Sequence, residues 1–235
     1  MALPFFYKED INASTADVVL DEDASKHIVQ VLRMQISEQL QLTNGKGGLF
    51  TCEITDNNRK RCTVKVIKTV NGQRSTNNIT IAISLIKNSS RFEWFLEKAT
   101  ELGVAVIIPL ICDRTEKTAF KQERMNNILV SAMLQSQQCW LPVLQAPRKI
   151  KQVVTSAIHE QKFIAHCTDA EKRNLSEMIN ESLSSKIILI GPEGDFTPAE
   201  IEEALEHHFT AVALGETRLR TETAGIAAAS LLCLV

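Results

Sequence analysis

The stretch IILIGPEGDFTPAEIEEALEHH, residues 187–208, decides the fold. Its unbroken apolar start reads as a strand buried on both faces, which is what parallel sheets require. A glycine-framed connector follows, and then a written helix start. Thr197 is the N-cap, Pro198 takes the first helical position, and Glu200 stands third, where it can return the cap. Strand, short rigid loop and helix in that order place the connector GPEGD at the C-terminal end of a strand, the rim where open α/β sheets hold ligands. The plainer reading is a turn that uses glycine for its φ angles.

The same grammar extends outward. ITIAISLI (79–86) is a strand, and SRFEWFLEKATELG (90–103) is a helix with Phe92, Phe95, Leu96, Ala99 and Leu102 on one face and Gly103 as its stop. VAVIIPLI (104–111) is a continuous apolar strand, a long helix spans about 122–138, and KFIAHC (162–167) and KIILI (186–190) are further strands. Alternation of this kind means a parallel α/β sheet with helices on both faces. His166 is expected as a satisfied core or rim residue, and Cys167 as buried, with the end of their strand placing both near the ligand rim. Upstream the pattern changes. LPFFY, DVVL, LQLT, LFTCEI and RCTVKVIKTV are short β-rich runs, and Asn44-Gly45 is a hairpin cue. One helix interrupts, with Ile28, Val31, Leu32 and Ile36 at helical spacing. Many short strands with one helix suggest a small β-barrel. The polar run VNGQRSTNN (70–78) reads as the junction between the two regions.

Of the 235 residues, 44% are hydrophobic and 23% charged, the balance of a globular protein with a sizeable core. No apolar run approaches the ~18 residues that span a bilayer, and the N-terminus lacks the basic start and apolar stretch of a secretory signal. Six scattered cysteines with no CxxC pair argue against a zinc site and a disulfide framework, and for reduced thiols in a cytoplasm. The net charge of −2 hides an asymmetry: residues 57–92 contain no acid but eight bases, Arg59, Lys60, Arg61, Lys65, Lys68, Arg74, Lys87 and Arg91. A solvated sheet edge explains this as well as a phosphate-contacting surface does.

Neither GxxxxGK[ST] nor a GxGxxG after a first strand is present, so the connector is not a phosphate loop or a dinucleotide fingerprint. Glu193 and Asp195 would repel a polyphosphate. S-adenosylmethionine, with a sulfonium, an amino group and no phosphate, meets the charge of the loop. A second loop, LGETRLRTETAGIAAASLLCLV (214–235), again follows a strand and opens with glycine. Glu222 in a first helical turn suits the helix dipole, whereas Arg218 and Arg220 oppose it and could face a polyanion or a reacting base. The small residues of AGIAAAS suit a helix approached closely by another backbone, in a subunit contact or a threaded loop. Glu93, Glu97 and Glu101, four apart on one helix, repel one another and need partners, from the arginines of this last loop or from Lys98 and solvent.

These motifs resemble the RsmE family of SPOUT methyltransferases. IGPEGDFTPAEIEEAL and LGETRLRTETAGIAAAS match its C-terminal signature, RFEWFLEKATELGV its central helix, AMLQSQQCWLPVL (132–144) its middle segment, and KHIVQVLRM with GKGG its N-terminal domain. The resemblance implies an α/β-knot (SPOUT) domain with a parallel sheet and a trefoil knot over 73–235. It implies a PUA-like RNA-binding β-barrel over 1–72. It further implies S-adenosylmethionine as cofactor, a homodimer, and methylation of N3 of a uridine in 16S (small-subunit) ribosomal RNA, free or assembled, with no metal. Cofactor contacts are then expected from Ile190, Gly191, Pro192, Glu193, Gly194, Leu214, Gly215, Leu219, Arg220, Thr221, Thr223 and Ala224, and RNA contacts from Arg59, Lys60, Arg61, Lys65, Lys87 and Arg91. Arg220 and Glu222 are the expected catalytic pair: the guanidinium steadies the uracil anion, and Glu222, Glu193 or water takes the N3 proton. Two positions depart from the family. Its loop usually reads GPEGG, where this chain has Asp195, a residue that tolerates positive φ, and Gln137 and Gln138 stand where a base is common. The competing readings are another SPOUT RNA methyltransferase, acting on a ribose 2′-OH or another base, and a non-catalytic ribosome-assembly RNA-binding protein.

Overall fold

The computed structural model describes residues 3–73, 78–168 and 172–234. The chain forms two compact units, Met1–Arg74 with Met133–Leu141, and Ser75–Ala132 with Pro142–Val235.

In the first unit, strands β1 (Phe5–Tyr7), β2 (Asp17–Val19), β3 (Gln39–Thr43), β4 (Gly48–Asp56) and β5 (Thr63–Asn71) form one sheet in the order β1-β3-β4-β5-β2. β1 runs parallel to β3, and the remaining pairs are antiparallel. The alternation of β4 is that of a half-buried strand, with Phe50, Cys52 and Ile54 turned into a core shared with Leu40, Leu42, Val64 and Ile28. Register shifts at Thr51/Cys52 and Ile54/Asp56 mark irregularities that bend β4. The Asn44-Gly45 cue does close the β3–β4 hairpin. Asn44 Oδ1 accepts from Lys46 N (2.9 Å) and Gly48 N (3.0 Å), an Asx turn.

The interrupting helix is shorter than its periodicity predicts. α1 (Glu22–Lys26) passes into a π-helical turn, His27–Val31, and the chain then bends. Ile28 is buried, but Val31, Leu32 and Ile36 are 66, 41 and 56% exposed. The reversal comes from Arg33 (φ +58°) and Ser37 (φ +72°), non-glycine residues in the left-handed region that carry no compositional signal.

The segment Met133–Leu141 begins in the last turn of α3 (Gln122–Gln135), which ends three residues sooner than expected, with Gln137 at φ +56°. It completes the first unit by pairing with the hairpin tip. Gly47 N donates to Cys139 O (2.8 Å) and Leu141 N to Gly45 O (2.9 Å). A Cβ on Gly47 would collide with the Trp140 ring, so glycine here permits the stack. Two motifs ninety residues apart in sequence thus share one surface.

In the second unit all strand pairs are parallel. β6 (Asn78–Ser84), β7 (Val106–Ile111), β8 (Val143–Leu144), β10 (Gln161–Ala165), β11 (Arg173–Asn174), β12 (Ser185–Ile190) and β13 (Thr210–Ala213) lie in the order β11-β13-β10-β12-β6-β7-β8, with β9 (Arg148–Lys149) also on β7. Period-two alternation divides the strand residues between two layers. Ala82, Ile164, Ile187 and Leu189 pack with Val153 and Val154 of α4 (Ile150–Ser156) and Ile201 and Ala204 of α6 (Pro198–Glu206). α2 (Ser89–Glu101) and α7 (Thr221–Cys233) pack on each other, and α7 also on β6 and β12. A short α5 (Leu175–Met178) follows β11.

α2 buries Phe92, Phe95, Leu96 and Ala99, as its spacing predicts, together with Thr100, while Leu102 stays half-exposed. Its end is a Schellman motif: Val104 N donates to Ala99 O, Gly103 N donates to Thr100 O (both 3.0 Å), and Gly103 has φ +85°. The acidic stripe finds partners nearer than the last loop. Arg124 pairs with Glu93 at 2.8 Å, and Lys98 holds both Glu97 and Glu101 at 2.8 Å. Residues 74–77 of the expected junction lie outside the described residues. Among the described residues no helix is long and apolar enough to cross a membrane.

Candidate active site at the ends of three parallel strands

β13, β10 and β12 are neighbours, and Ala165 of β10 pairs with both Val212 and Ile190. Past those pairs the ladders end and three segments diverge, described over 166–168 with Lys172, over 191–197 and over 214–220. Two adjoining cavities of about 260 and 340 Å³ open between them, with Ala165, Cys167, Arg218, Leu219 and Ala224 on the walls of both.

The 191–197 loop is held from several directions. Asp195 N donates to Pro192 O (2.9 Å), closing a turn, and Asp195 sits at φ +63°. Its carboxylate accepts from Phe196 N (2.9 Å) and from Cys167 N (2.8 Å). The capping box is present as written: Thr197 Oγ1 accepts from Glu200 N (3.3 Å) and Glu200 Oε2 from Thr197 N (2.8 Å). Glu200 is buried, and its other oxygen accepts from Asp113 N (2.9 Å), so the cap also ties down the loop after β7. From that loop Arg114 donates to Gly194 O at 2.7 Å.

In the 214–220 loop, Gly215 takes φ +136°, and a Cβ there meets nothing within 4 Å. Arg220 occupies the N-cap position of α7 with extended backbone, and Thr221 Oγ1 donates to Gly191 O (3.0 Å), joining the two glycine loops. Among the described residues the Arg220 side chain has no hydrogen bond or ion pair, and it is exposed at the smaller cavity.

The third wall is expected only in part: the strand end places His166 and Cys167 near the rim, whereas Lys172 and Thr168 are not foreseen. Lys172 Nζ donates to His166 O (2.6 Å) and Thr168 O (2.7 Å), and His166 Nδ1 lies 2.7 Å from Thr168 Oγ1. Burial, and then the Lys172 ammonium, holds His166 below its ordinary pKa, against a smaller upward pull from Asp195. His166 is buried, but Cys167 is exposed rather than buried, because it lies past the last ladder pair where β10 gives way to the cavity. No glycine or signature marks this loop. Its legible cue is the end of the strand KFIAHC, and the structure adds that β10 lies between the two strands whose loops carry glycine.

The expected residues fall as follows. Ile190, Gly191, Pro192, Glu193, Arg220 and Thr221 line the smaller cavity, Leu214 and Gly215 the larger, and Leu219 and Ala224 both. Gly194 and the exposed Thr223 line neither. Glu222 is buried away from both cavities. Its Oε1 lies 3.6 Å from Arg91 Nε, and Oε2 has no partner. Lys87 is ion-paired to Glu116 at 2.7 Å, and its backbone N donates to Glu193 Oε1 (3.2 Å). Arg59, Lys60 and Arg61 lie exposed between β4 and β5, and Lys65 is exposed on β5 opposite Glu53.

The residues present fit S-adenosylmethionine. Their combined space is that of a small-molecule pocket of roughly 300–1,000 Å³. The walls offer loop backbone and apolar side chains, and carboxylates at Glu193, Asp195 and Glu216 tolerate a cation.

Residues 73–233 match the RNA methyltransferase domain family, and residues 20–67 the RNA methyltransferase PUA domain. A ribosomal RNA small subunit methyltransferase E of Synechocystis is 32% identical over 89% of this chain and 70% of its own length. The crystal structure of a probable rRNA-methyltransferase from Porphyromonas gingivalis superposes with a TM-score of 0.91 at 39% identity, covering 97% of this chain and 96% of that one. The ribosomal RNA small subunit methyltransferase E of Neisseria gonorrhoeae, solved bound to S-adenosyl methionine, gives 0.86 at 30% identity over 97 and 95%. With a PUA-like domain before a parallel α/β domain, and with matches that run over nearly its whole length, the chain belongs to the RNA methyltransferase family of ribosomal RNA small subunit methyltransferase E.

Proposed function

We propose that this protein methylates N3 of a uridine in small-subunit (16S) ribosomal RNA, with S-adenosylmethionine as donor. The observation that carries the reading is the junction of the two glycine loops, Thr221 Oγ1 on Gly191 O, which sets unpaired Arg220 at a cavity fit for the cofactor. The names of the relatives supply the substrate class.

When bound, the cofactor supplies an electrophilic methyl group. The chain's own residues do the rest. Ile190, Gly191, Leu214, Leu219 and Ala224 wall the cofactor space. Arg220 faces it with a free guanidinium, which stabilises charge developing on the uracil oxygens as N3 loses its proton. Of the two candidate acceptors, Glu193 lines the cavity and Glu222 does not. Glu193 is therefore the acceptor within reach of a bound base, and Glu222 serves to hold Arg91 against the first turn of α7. A base can enter such a pocket only from a loop or a splayed nucleotide.

Arg59, Lys60, Arg61 and Lys65 carry RNA contacts in this reading, supported by their exposure. Lys87 and Arg91, each ion-paired, contribute less. The domain limits 1–72 and 73–235 belong to the same proposal, as do the trefoil knot, the homodimer and a cytoplasmic location. The family matches support the limits, the Thr221–Gly191 contact is compatible with the knot, and the family resemblance carries the dimer.

The test is methyl transfer from labelled S-adenosylmethionine to unmethylated small subunits and to free rRNA, followed by digestion to nucleosides. Label in 3-methyluridine is expected. Label in another nucleoside would overturn the substrate.

A further inference from the structure

Asp195 stands where β10 and β12 part. The last ladder pair between those strands is Ala165 with Ile190. Beyond it nothing in the sheet fixes how far apart the two chains run, yet both go on to wall the cofactor space. The Asp195 carboxylate bridges them. Oδ2 accepts from Cys167 N (2.8 Å) on the β10 side, and Oδ1 accepts from Phe196 N (2.9 Å) on its own loop. Asp195 and Cys167 both line the smaller cavity.

Backbone shape alone does not call for a side chain here. At φ +63° glycine would sit without penalty, whereas aspartate bears the cost of the left-handed region. What aspartate adds is a pair of charged acceptors for two backbone donors. Hydrogen bonds to an ionised group are among the stronger ones. The loop's other anchors are Arg114 on Gly194 O and Glu200 on Asp113 N, which lead to the segment after β7, Lys87 N on Glu193 Oε1, which leads to the segment after β6, and Thr221 Oγ1 on Gly191 O, which leads to α7; none of these leads to β10.

We infer that Asp195 is a positioning residue for the cofactor: its carboxylate sets the spacing between the β10 exit and the β12–α6 loop, and so the width of the cleft. This rests on the cofactor reading above. The carboxylate acts through Cys167 N–H and Phe196 N–H, and the group it positions is the backbone that walls the cavity.

The experiment compares Asp195→Gly and Asp195→Asn with the wild-type protein by calorimetric titration of S-adenosylmethionine, methyl-transfer kinetics and thermal melting. Asp195→Gly is expected to raise the cofactor Kd about tenfold, with the kinetic loss falling mainly on KM for the cofactor. Its Tm should change little, because relief of the left-handed strain offsets part of the loss of the two hydrogen bonds. Asp195→Asn is expected to recover part of the affinity, since its amide oxygen serves one N–H while its NH₂ opposes the other. Wild-type affinity in Asp195→Gly would overturn the inference. So would a parallel fall in Tm and affinity with no recovery in Asp195→Asn, the mark of a merely structural residue. If the wild-type protein bound no S-adenosylmethionine, the cofactor reading itself would fall, and this inference with it.

Discussion

Gly225 is the position at which the architecture can be tested most directly. It lies in the first half of α7, and a Cβ built on it would stand 2.7 Å from Phe95 Cε2, 2.8 Å from Ile83 Cδ1 and 2.9 Å from Phe95 Cδ2. Carbon atoms rest about 3.5–4.0 Å apart, and both neighbours are fully buried, so neither can swing aside. Gly225→Ala therefore overpacks the contact of α7 with α2 and β6, at a cost of about 1–3 kcal/mol. Helix propensity works the other way, since alanine is better than glycine by about 1 kcal/mol in a helix interior. The net loss is about 0–2 kcal/mol, a fall in Tm of up to several degrees at about 2–4 °C per kcal/mol. The displacement also reaches the site. Ala224, the preceding residue, walls both cavities, and Thr221 one turn earlier holds Gly191. Weaker binding of S-adenosylmethionine is expected along with the lower Tm. Thermal melts of Gly225→Ala, Phe95→Leu and the double variant, with cofactor titrations, check this. Shrinking Phe95 should make the alanine less costly, a coupling of roughly 1 kcal/mol. A Tm that rises by the propensity increment, with no coupling to Phe95, would refute the claim that α7 is packed at contact distance.

Arg220→Ala should abolish most methyl transfer, by about 10²–10³-fold, while leaving cofactor Kd within about tenfold; steady-state kinetics and calorimetry separate the two, and a near-normal rate removes Arg220 from the mechanism. Reversing Arg59, Lys60 and Arg61 to Glu should weaken rRNA binding and flatten its salt dependence by roughly 0.7 per lost phosphate contact, and an unchanged slope in filter-binding titrations would clear that loop. Maleimide should label exposed Cys167 fastest, while burial pushes Cys112 up to about 12 and keeps it inert; S-adenosylmethionine should slow that labelling, and peptide mapping reads it. Burial lowers the pKa values of His159 and His166, with Lys162 and Lys172 adding to it. Because the unfolded chain then binds protons first, stability is full above about pH 6.5 and declines as pH falls through that value toward the lowered folded pKa values. Urea melts from pH 7.5 to 5.0 should show that decline, and His159→Gln should reduce it.

What could be read from the sequence was what depends on neighbours along the chain. The Thr197–Glu200 capping box, the Asn44 hairpin and the Gly103 stop of α2 each complete their bonds within five residues, and each is where its motif put it. The misread helix failed at the same scale for a different reason. Val31, Leu32 and Ile36 have core-like spacing, but Arg33 and Ser37 turn the backbone in a conformation that composition does not advertise. Long-range pairings were not legible at all. Nothing local says that Cys139 will meet Gly47, or that Glu93 will find Arg124 rather than the last loop. The site divides in the same way. Its two glycine loops announced themselves and the end of β10 put His166 and Cys167 near the rim, while the contacts of Lys172 there, and the place of β10 between β12 and β13, come only from the fold.

The charges at the rim follow a constraint set by the proposed reaction. Methyl transfer from a sulfonium to a developing anion destroys charge, so the transition state is less charged than the reactants. Carboxylates aimed freely at the sulfonium would then hold the ground state more tightly than the transition state and slow the chemistry. Two of the three wall acids are restrained from that. Both oxygens of Asp195 are taken by backbone N–H groups, and Oε1 of Glu193 by Lys87 N. The opposite holds for the base. Charge on the uracil grows as the N3 proton leaves, so a cation that is free to respond lowers the barrier. Arg220 is that group, with no partner among the described residues, whereas Lys172 is spent on His166 O and Thr168 O. The site thus spends Asp195 on shape, leaves one oxygen of Glu193 for the N3 proton, and keeps the guanidinium of Arg220 in reserve, which is the division of labour that charge-destroying transfer favours.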